Sequence, residues 1–183
     1  MRLRTRHGGV VGGSVERRLR FLREVTEAVV GAWSASRTGV RLSPVGSFND
    51  MRDSDPAATF GAAARLLREL GVGYLHAVEG LEGSFMHVPH PERISPIMRK
   101  AFSAGAAAGA GTFVVNGGYT AERAARALVE DEADLVAFGV PFLANPDLVR
   151  RVREGAALNT PDFATFYTPG AKGYTDYPAL AKR

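Results

Sequence analysis

The sequence predicts an α/β fold built from parallel strand–helix units. Three observations predict it. Segments with helical apolar spacing alternate with short apolar runs, Gly or Pro punctuates most boundaries, and the 183 residues suffice for one domain with its own core. Apolar residues make up 45% of the chain, near the globular average. No apolar run approaches the ~20 residues a membrane span needs.

Ser14 is placed to cap a first helix, whose stripe Val15, Leu19, Leu22, Val25 and Val29 recurs at spacings of three and four. A strand over 38–43 follows and ends at Pro44. Asp55-Pro56 reads as an N-cap followed by Pro at the first helical position, opening a helix that runs to about Leu70 and stops at Gly71. GYLHAVE, 73–79, is a second strand, and Ser95-Pro96 opens the next helix. Residues 112–116 form a third strand. Thr120 then caps a helix with Glu122 in its first turn, where a carboxylate meets the positive end of the helix dipole. Residues 134–138 form a fourth strand, and Asn145-Pro146 opens another helix. The tail, 156–183, is rich in Pro, Gly and aromatics and reads as ordered loop, and 1–13 as an irregular N-terminus, the whole being one domain. Four strand–helix units after one orphan helix fit half of an eight-stranded barrel or a small open doubly wound sheet. Periodicity does not choose between them.

The formal charge is +4, and the basic side is almost all Arg, with Lys only at positions 100, 172 and 182. Seven Arg fall in the first 23 residues without interleaved aromatics, so they read as a solvated helix face and not as a nucleic-acid surface. With no Cys, disulfides, thiolate nucleophiles and thiolate metal sites are excluded. The basic start lacks the apolar block of a secretory signal, and a soluble cytoplasmic protein is expected, with no membrane partner.

Three features that carry chemistry sit where strands end, the place where parallel α/β folds gather ligands. Arg41 ends the first strand, Asn116-Gly117-Gly118 follows the third, and Phe138-Gly139 follows the fourth. Glycines there let backbone N–H groups approach a phosphate, although strand-to-helix turns also use Gly for purely structural reasons. Arg41, flanked by Val40 and Leu42, points to the opposite face from them and needs an anionic or carbonyl partner, supplied by a ligand or by a structural ion pair.

Other groups carry less. His87 and His90 form H-x-x-H in a Pro-rich loop, where helical metal-ligand spacing does not apply. Asp50, Asp53 and Asp55 lack the ligand order of a calcium loop and read as a solvated, capping segment. The run GAAAGAG at 105–111 precedes a strand instead of following one, so it fails as a dinucleotide motif. Nothing in the sequence places Tyr119, Tyr174 or Tyr177 as proton donors.

The stretches GGSVERRLRFLREV, GVRLSPVGSFNDM, GYLHAVE, NGGYTAERA, AFGVPFLANPDLV and FYTPGAKGYTDYP, in this order, resemble the second half of the old yellow enzymes, the NADH:flavin oxidoreductase family. The resemblance covers nearly the whole chain from about Gly12. It implies a (β/α)8 barrel of the TIM type, here roughly its C-terminal half: four strand–helix units plus a preceding helix. It also implies FMN as cofactor, with reduction of activated alkenes or quinones by NADPH or NADH. By position, Arg41 matches the family arginine beside the flavin pyrimidine edge. Gly117 and Gly118 match the loop whose amides hold the FMN phosphate, and Phe138 and Gly139 match the other arm of that cradle. Tyr167 matches an aromatic near the dimethylbenzene edge.

Two departures qualify this picture. After Phe-Gly the family carries an arginine that pairs with the phosphate, and this chain has Val140, a loss of roughly 1.5–3 kcal/mol of binding. The family's catalytic tyrosine and its His-plus-His/Asn pair belong to a segment that would lie upstream of Met1. None of His7, His76, His87 and His90 stands in that context, and no catalytic residue is assigned here. The expectation is therefore an FMN-binding oxidoreductase that is incomplete as it stands. Its open half-barrel would be closed by a second copy or by a separately encoded partner. The alternatives are a truncated, non-catalytic flavin-binding remnant, or a phosphate-binding half-barrel with other chemistry.

Overall fold

A computed structural model of the chain describes residues 13–46, 52–82, 84, 87, 89, 92–104 and 111–181. The chain forms two compact units that divide between Ala137 and Phe138.

The first unit alternates helix and strand: α1 (Val15–Trp33), β1 (Gly39–Leu42), α2 (Pro56–Glu69), β2 (Tyr74–Val78), α3 (Ser95–Ser103), β3 (Thr112–Asn116), α4 (Ala121–Val129) and β4 (Leu135–Val136). The strands form one four-stranded sheet in the order β1-β2-β3-β4, every pair parallel. Local chemistry sets the helix starts. The Asp55 carboxylate accepts the Ala58 amide at 2.9 Å with Pro56 in the first turn of α2. The Thr120 hydroxyl accepts the Arg123 amide at 3.2 Å, and Glu122 follows it.

The pleat sorts the side chains. Leu75 and Ala77 of β2 and Phe113 and Val115 of β3 are sealed from solvent on the face that α3 covers. Met98 and Phe102 of α3 close this layer, Phe102 lying 6.4 Å from the Phe113 ring between centroids, and α2 packs Leu66 and Leu67 behind it. The alternate residues Tyr74, His76, Val78, Thr112, Val114 and Asn116 look the other way and are half-buried or exposed. Gly39 of β1 sits against the Tyr74 ring, where a Cβ would collide with it.

Three details differ from the sequence expectation. The stripe of α1 is not a core face: Thr26 is its one buried residue among those described, and Val25 and Val29 are 45% and 44% exposed. This helix precedes the first strand and packs against α2. As the sequence indicates, Ser95 opens α3 as its first residue, and its hydroxyl donates to the buried Glu79 carboxylate at 2.5 Å. β4 is two residues long, since the Asp134 carboxylate turns back to accept the Phe113 amide at 2.6 Å.

The third difference lies in the second unit. It holds a short helix the sequence did not indicate, α5 (Val140–Ala144), then α6 (Leu148–Glu154) and a loop-rich tail. Asn145 is fully buried and acts as a hub, its amide donating to the Pro141 carbonyl at 2.8 Å and accepting the Asn159 amide at 2.8 Å. Arg151, 5% exposed, ties α6 to the tail through the carbonyls of Ala157 and Pro178 at 2.5 and 2.8 Å. Among the described residues, no helix is long and apolar enough to cross a membrane.

Candidate functional site

Register places the first group of polar side chains. Arg41 pairs with His76 across β1 and β2, while His76 pairs with Val114 and Val78 with Asn116 across β2 and β3. Residues in register on parallel strands share a face, so Arg41, His76 and Asn116 stand together on the face away from α3. Asn116 lies one pleat repeat nearer the C-terminal strand ends. Arg41 is exposed and has no ion-pair partner among the described residues, so the structural alternative for it finds no counter-charge. Beside it, His76 Nε2 and Asn116 Oδ1 are buried without hydrogen-bond partners. Burial, and then the Arg41 charge, hold the His76 imidazole below its ordinary pKa. A buried polar atom left unpaired costs about 1–3 kcal/mol, so this face is suited to a polar ligand.

The turn after β3 is the second element. Gly117 and Gly118 have φ of +104° and +85°, in the left-handed region that favours glycine. A Cβ on Gly117 would strike the Glu79 carbonyl oxygen, and one on Gly118 would lie 3.0 Å from the Leu81 carbonyl. Packing against the loop after β2 therefore requires both glycines. Both carbonyls of the turn are engaged, Gly117 O by the Leu81 amide at 3.4 Å and Gly118 O by the Arg123 guanidinium at 2.8 Å. Among the described residues, neither glycine's N–H meets an acceptor. Adjacent backbone amides without acceptors suit an anion, such as the oxygens of a phosphate.

The second unit carries the other sequence candidates. Phe138 is half-buried, and Gly139 precedes Val140 at the start of α5. A Cβ on Gly139 would meet nothing within 4 Å, so packing does not demand glycine there. Tyr167 is 88% exposed with φ of +63°, and its amide donates to the Tyr174 hydroxyl at 2.8 Å.

The remaining sequence candidates have structural roles. The Tyr119 hydroxyl donates to Glu79, and burial followed by that carboxylate pushes its pKa well up. The Tyr177 hydroxyl accepts the Asp162 amide at 2.8 Å. Asp53 pairs with Arg18 at 3.3 Å and Asp55 caps α2, while Asp50 and His90 lie outside the described residues, as does 105–110. His87 Nδ1 is 2.9 Å from the Gly80 carbonyl, and no metal-ligand cluster occurs among the described residues.

The sequence reading gave Asn116 only as the lead-in to a glycine turn, passed over His76 as a binding residue and did not weigh Glu79. For the first two the signal was their parity with Arg41 once the strands are aligned. For Glu79 it was a carboxylate at the end of an apolar strand, which burial obliges to find partners.

Comparison with known proteins supplies the family. Residues 7–159 match the model of the NADH:flavin oxidoreductase / NADH oxidase family. The chain is 43% identical over 175 residues to 12-oxophytodienoate reductase 1 of Oryza sativa subsp. japonica, covering 92% of this chain and 43% of that protein. Among solved structures, morphinone reductase superposes with a TM-score of 0.83 at 41% identity, over 96% of this chain and 45% of that one. An old yellow enzyme homologue from Zymomonas mobilis gives 0.86 at 40% identity, over 95% and 47%. The chain thus spans about half the length of the relatives it matches. Its parallel strand–helix array is the corresponding part of their TIM-type barrel. With the family model matching most of its length and these structures superposing on it, the chain belongs to the NADH:flavin oxidoreductase / NADH oxidase family of the old yellow enzymes.

Proposed function

We propose that the chain provides the cofactor-holding part of an FMN-dependent, NAD(P)H-driven reductase of activated alkenes or quinones. The observation that carries this reading is Arg41. It is a guanidinium without a counter-charge among the described residues, on a sheet face that also presents the unpaired His76 Nε2 and Asn116 Oδ1. A cation so placed suits an electron-rich heterocycle edge, whose negative charge on reduction it would stabilise. The unspent amides of Gly117 and Gly118 suit the phosphate of FMN, and the family resemblance assigns Phe138 and Gly139 to that phosphate and Tyr167 to the outer ring edge. Bound FMN would supply hydride transfer between a nicotinamide and the substrate. One solved morphinone reductase structure contains tetrahydroNAD, which supports a nicotinamide as the reductant. A cytoplasmic setting belongs to the same proposal, since the reductant is a soluble nicotinamide.

Partners follow from the same sheet face. Tyr74 and Leu135, in the same strand parity as His76 and Val114, are 45% and 56% exposed there. This supports closure of the face by a second copy of the chain or by a separately encoded half.

A second reading is a flavin-binding protein that does not turn over alone. It is favoured by the engagement of Tyr119 with Glu79, which commits the hydroxyl of that buried phenol to a structural hydrogen bond. The test is a titration with FMN, followed by quenching of flavin fluorescence, and then anaerobic mixing of the complex with NADPH or NADH. Saturable binding weakened by Arg41→Ala supports a cofactor site, and bleaching of the bound flavin with alkene-dependent reoxidation supports the reductase. Bleaching without reoxidation supports the second reading. No saturable binding by folded protein sinks both.

A further inference from the structure

Glu79 lies just beyond β2 and is 5% exposed. Its carboxylate accepts Arg93 Nε at 2.9 Å, Arg93 Nη2 at 3.1 Å, Ser95 Oγ at 2.5 Å and the Tyr119 hydroxyl. Arg93 in turn reaches Glu132 at 3.0 Å. Burial pushes the Glu79 carboxyl up, but the hydrogen bonds from Arg93, Ser95 and Tyr119 reverse this and hold it below the usual carboxylate range. A buried charge saturated in this way is rigid, because losing any partner leaves an expensive unpaired group.

That rigid carboxylate is tied to the Gly117–Gly118 turn from three sides. The Glu79 amide donates to the Asn116 carbonyl at 2.7 Å, just before the turn. Its carbonyl oxygen fills the space a Gly117 side chain would need. Its carboxylate holds Tyr119, the residue just after the turn. Arg123 completes the frame by taking the Gly118 carbonyl at 2.8 Å. The turn is thereby framed with both carbonyls bound and both amides without an acceptor among the described residues.

We propose that Glu79 and Tyr119 are positioning residues for anion recognition, setting the affinity of the Gly117–Gly118 turn for the phosphate of the cofactor and not for its ring. This rests on the reading that the turn receives that phosphate. Preorganised amides bind an anion without reorganising first, so loosening the frame costs phosphate affinity selectively.

The test compares FMN with riboflavin, which lacks the phosphate, on the full chain. The wild type is expected to bind FMN more tightly than riboflavin. Tyr119→Phe, which keeps the ring and removes the tie, is expected to weaken FMN about tenfold and leave riboflavin within about twofold. Glu79→Gln is expected to do the same or more. Ser95→Ala removes a Glu79 partner that does not touch the turn, so it should lower the melting temperature while preserving the FMN-to-riboflavin ratio. If folded Tyr119→Phe keeps the wild-type ratio, or if Ser95→Ala alters it equally, the positioning role is overturned and the cofactor site stands. If the wild type does not distinguish FMN from riboflavin, the phosphate reading fails and takes this inference with it.

Discussion

Arg41 and His76 are register partners on adjacent parallel strands, so a guanidinium and an imidazole stand side by side on one sheet face. Two cations there would repel, and burial together with the Arg41 charge lowers the pKa of the imidazole.

A pH dependence of stability follows. Burial and the neighbouring Arg41 lower the His76 pKa in the folded chain from its ordinary 6.5. The unfolded chain therefore binds more protons, and stability falls as pH drops below about 6.5, levelling off beneath the native pKa. Thermal melts from roughly pH 8 to pH 5 should show this slope, and His76→Asn should flatten it. A slope unchanged in the variant would assign it to other groups.

Glu79 titrates in the opposite sense. Its lowered native pKa contributes stability that is fully present above its ordinary 4.5 and lost as pH falls through the native value. Wild type should lose stability between roughly pH 5 and pH 3 more steeply than Glu79→Gln. Equal steepness in the two would mean that Glu79 is not held below its ordinary range.

The two glycine turns should respond differently to a methyl group. Gly117→Ala places a Cβ against the Glu79 carbonyl at positive φ and should destabilise the fold by about 1–3 kcal/mol. Gly139→Ala meets nothing within 4 Å at φ of −97° and should leave the melting temperature unchanged. Comparable losses in both would show that Gly139 has a structural duty the geometry does not reveal.

Val140 offers a gain-of-function experiment. The family pattern places an arginine at this position, so Val140→Arg should tighten FMN about tenfold in a salt-sensitive manner and leave riboflavin unaffected. A gain shared equally by riboflavin would mean the new side chain acts on the ring and not on the phosphate.

Association is measurable directly. If the sheet face bearing Tyr74 and Leu135 is closed by a second copy, sedimentation should show a dimer that Leu135→Glu dissociates. A monodisperse monomer at all concentrations argues against closure by a copy.

Much of the framework was legible because its determinants are local. Asp55-Pro56 and Thr120 announce their helices within four residues, and strand alternation alone told which face Arg41 takes. What escaped depends on distant partners. Ser95 announces its helix, but not that its hydroxyl goes to Glu79, sixteen residues earlier. Tyr119 and Glu79 are forty residues apart. No window of sequence contains both, and their meeting is a product of parallel pairing between β2 and β3. Asn145 likewise reads as a helix opener and proves to be the anchor of the tail.

Gly39 has a consequence for the cation two residues beyond it. The Tyr74 ring occupies the space where a side chain at 39 would stand. Sliding β1 by one residue along β2 would bring Val40 under that ring and swing Arg41 to the helix side, since a single-step slip exchanges the two faces of a strand. The ring and the glycine therefore work as key and keyway. The direction in which the guanidinium looks is settled upstream of it, by an atom that is not there.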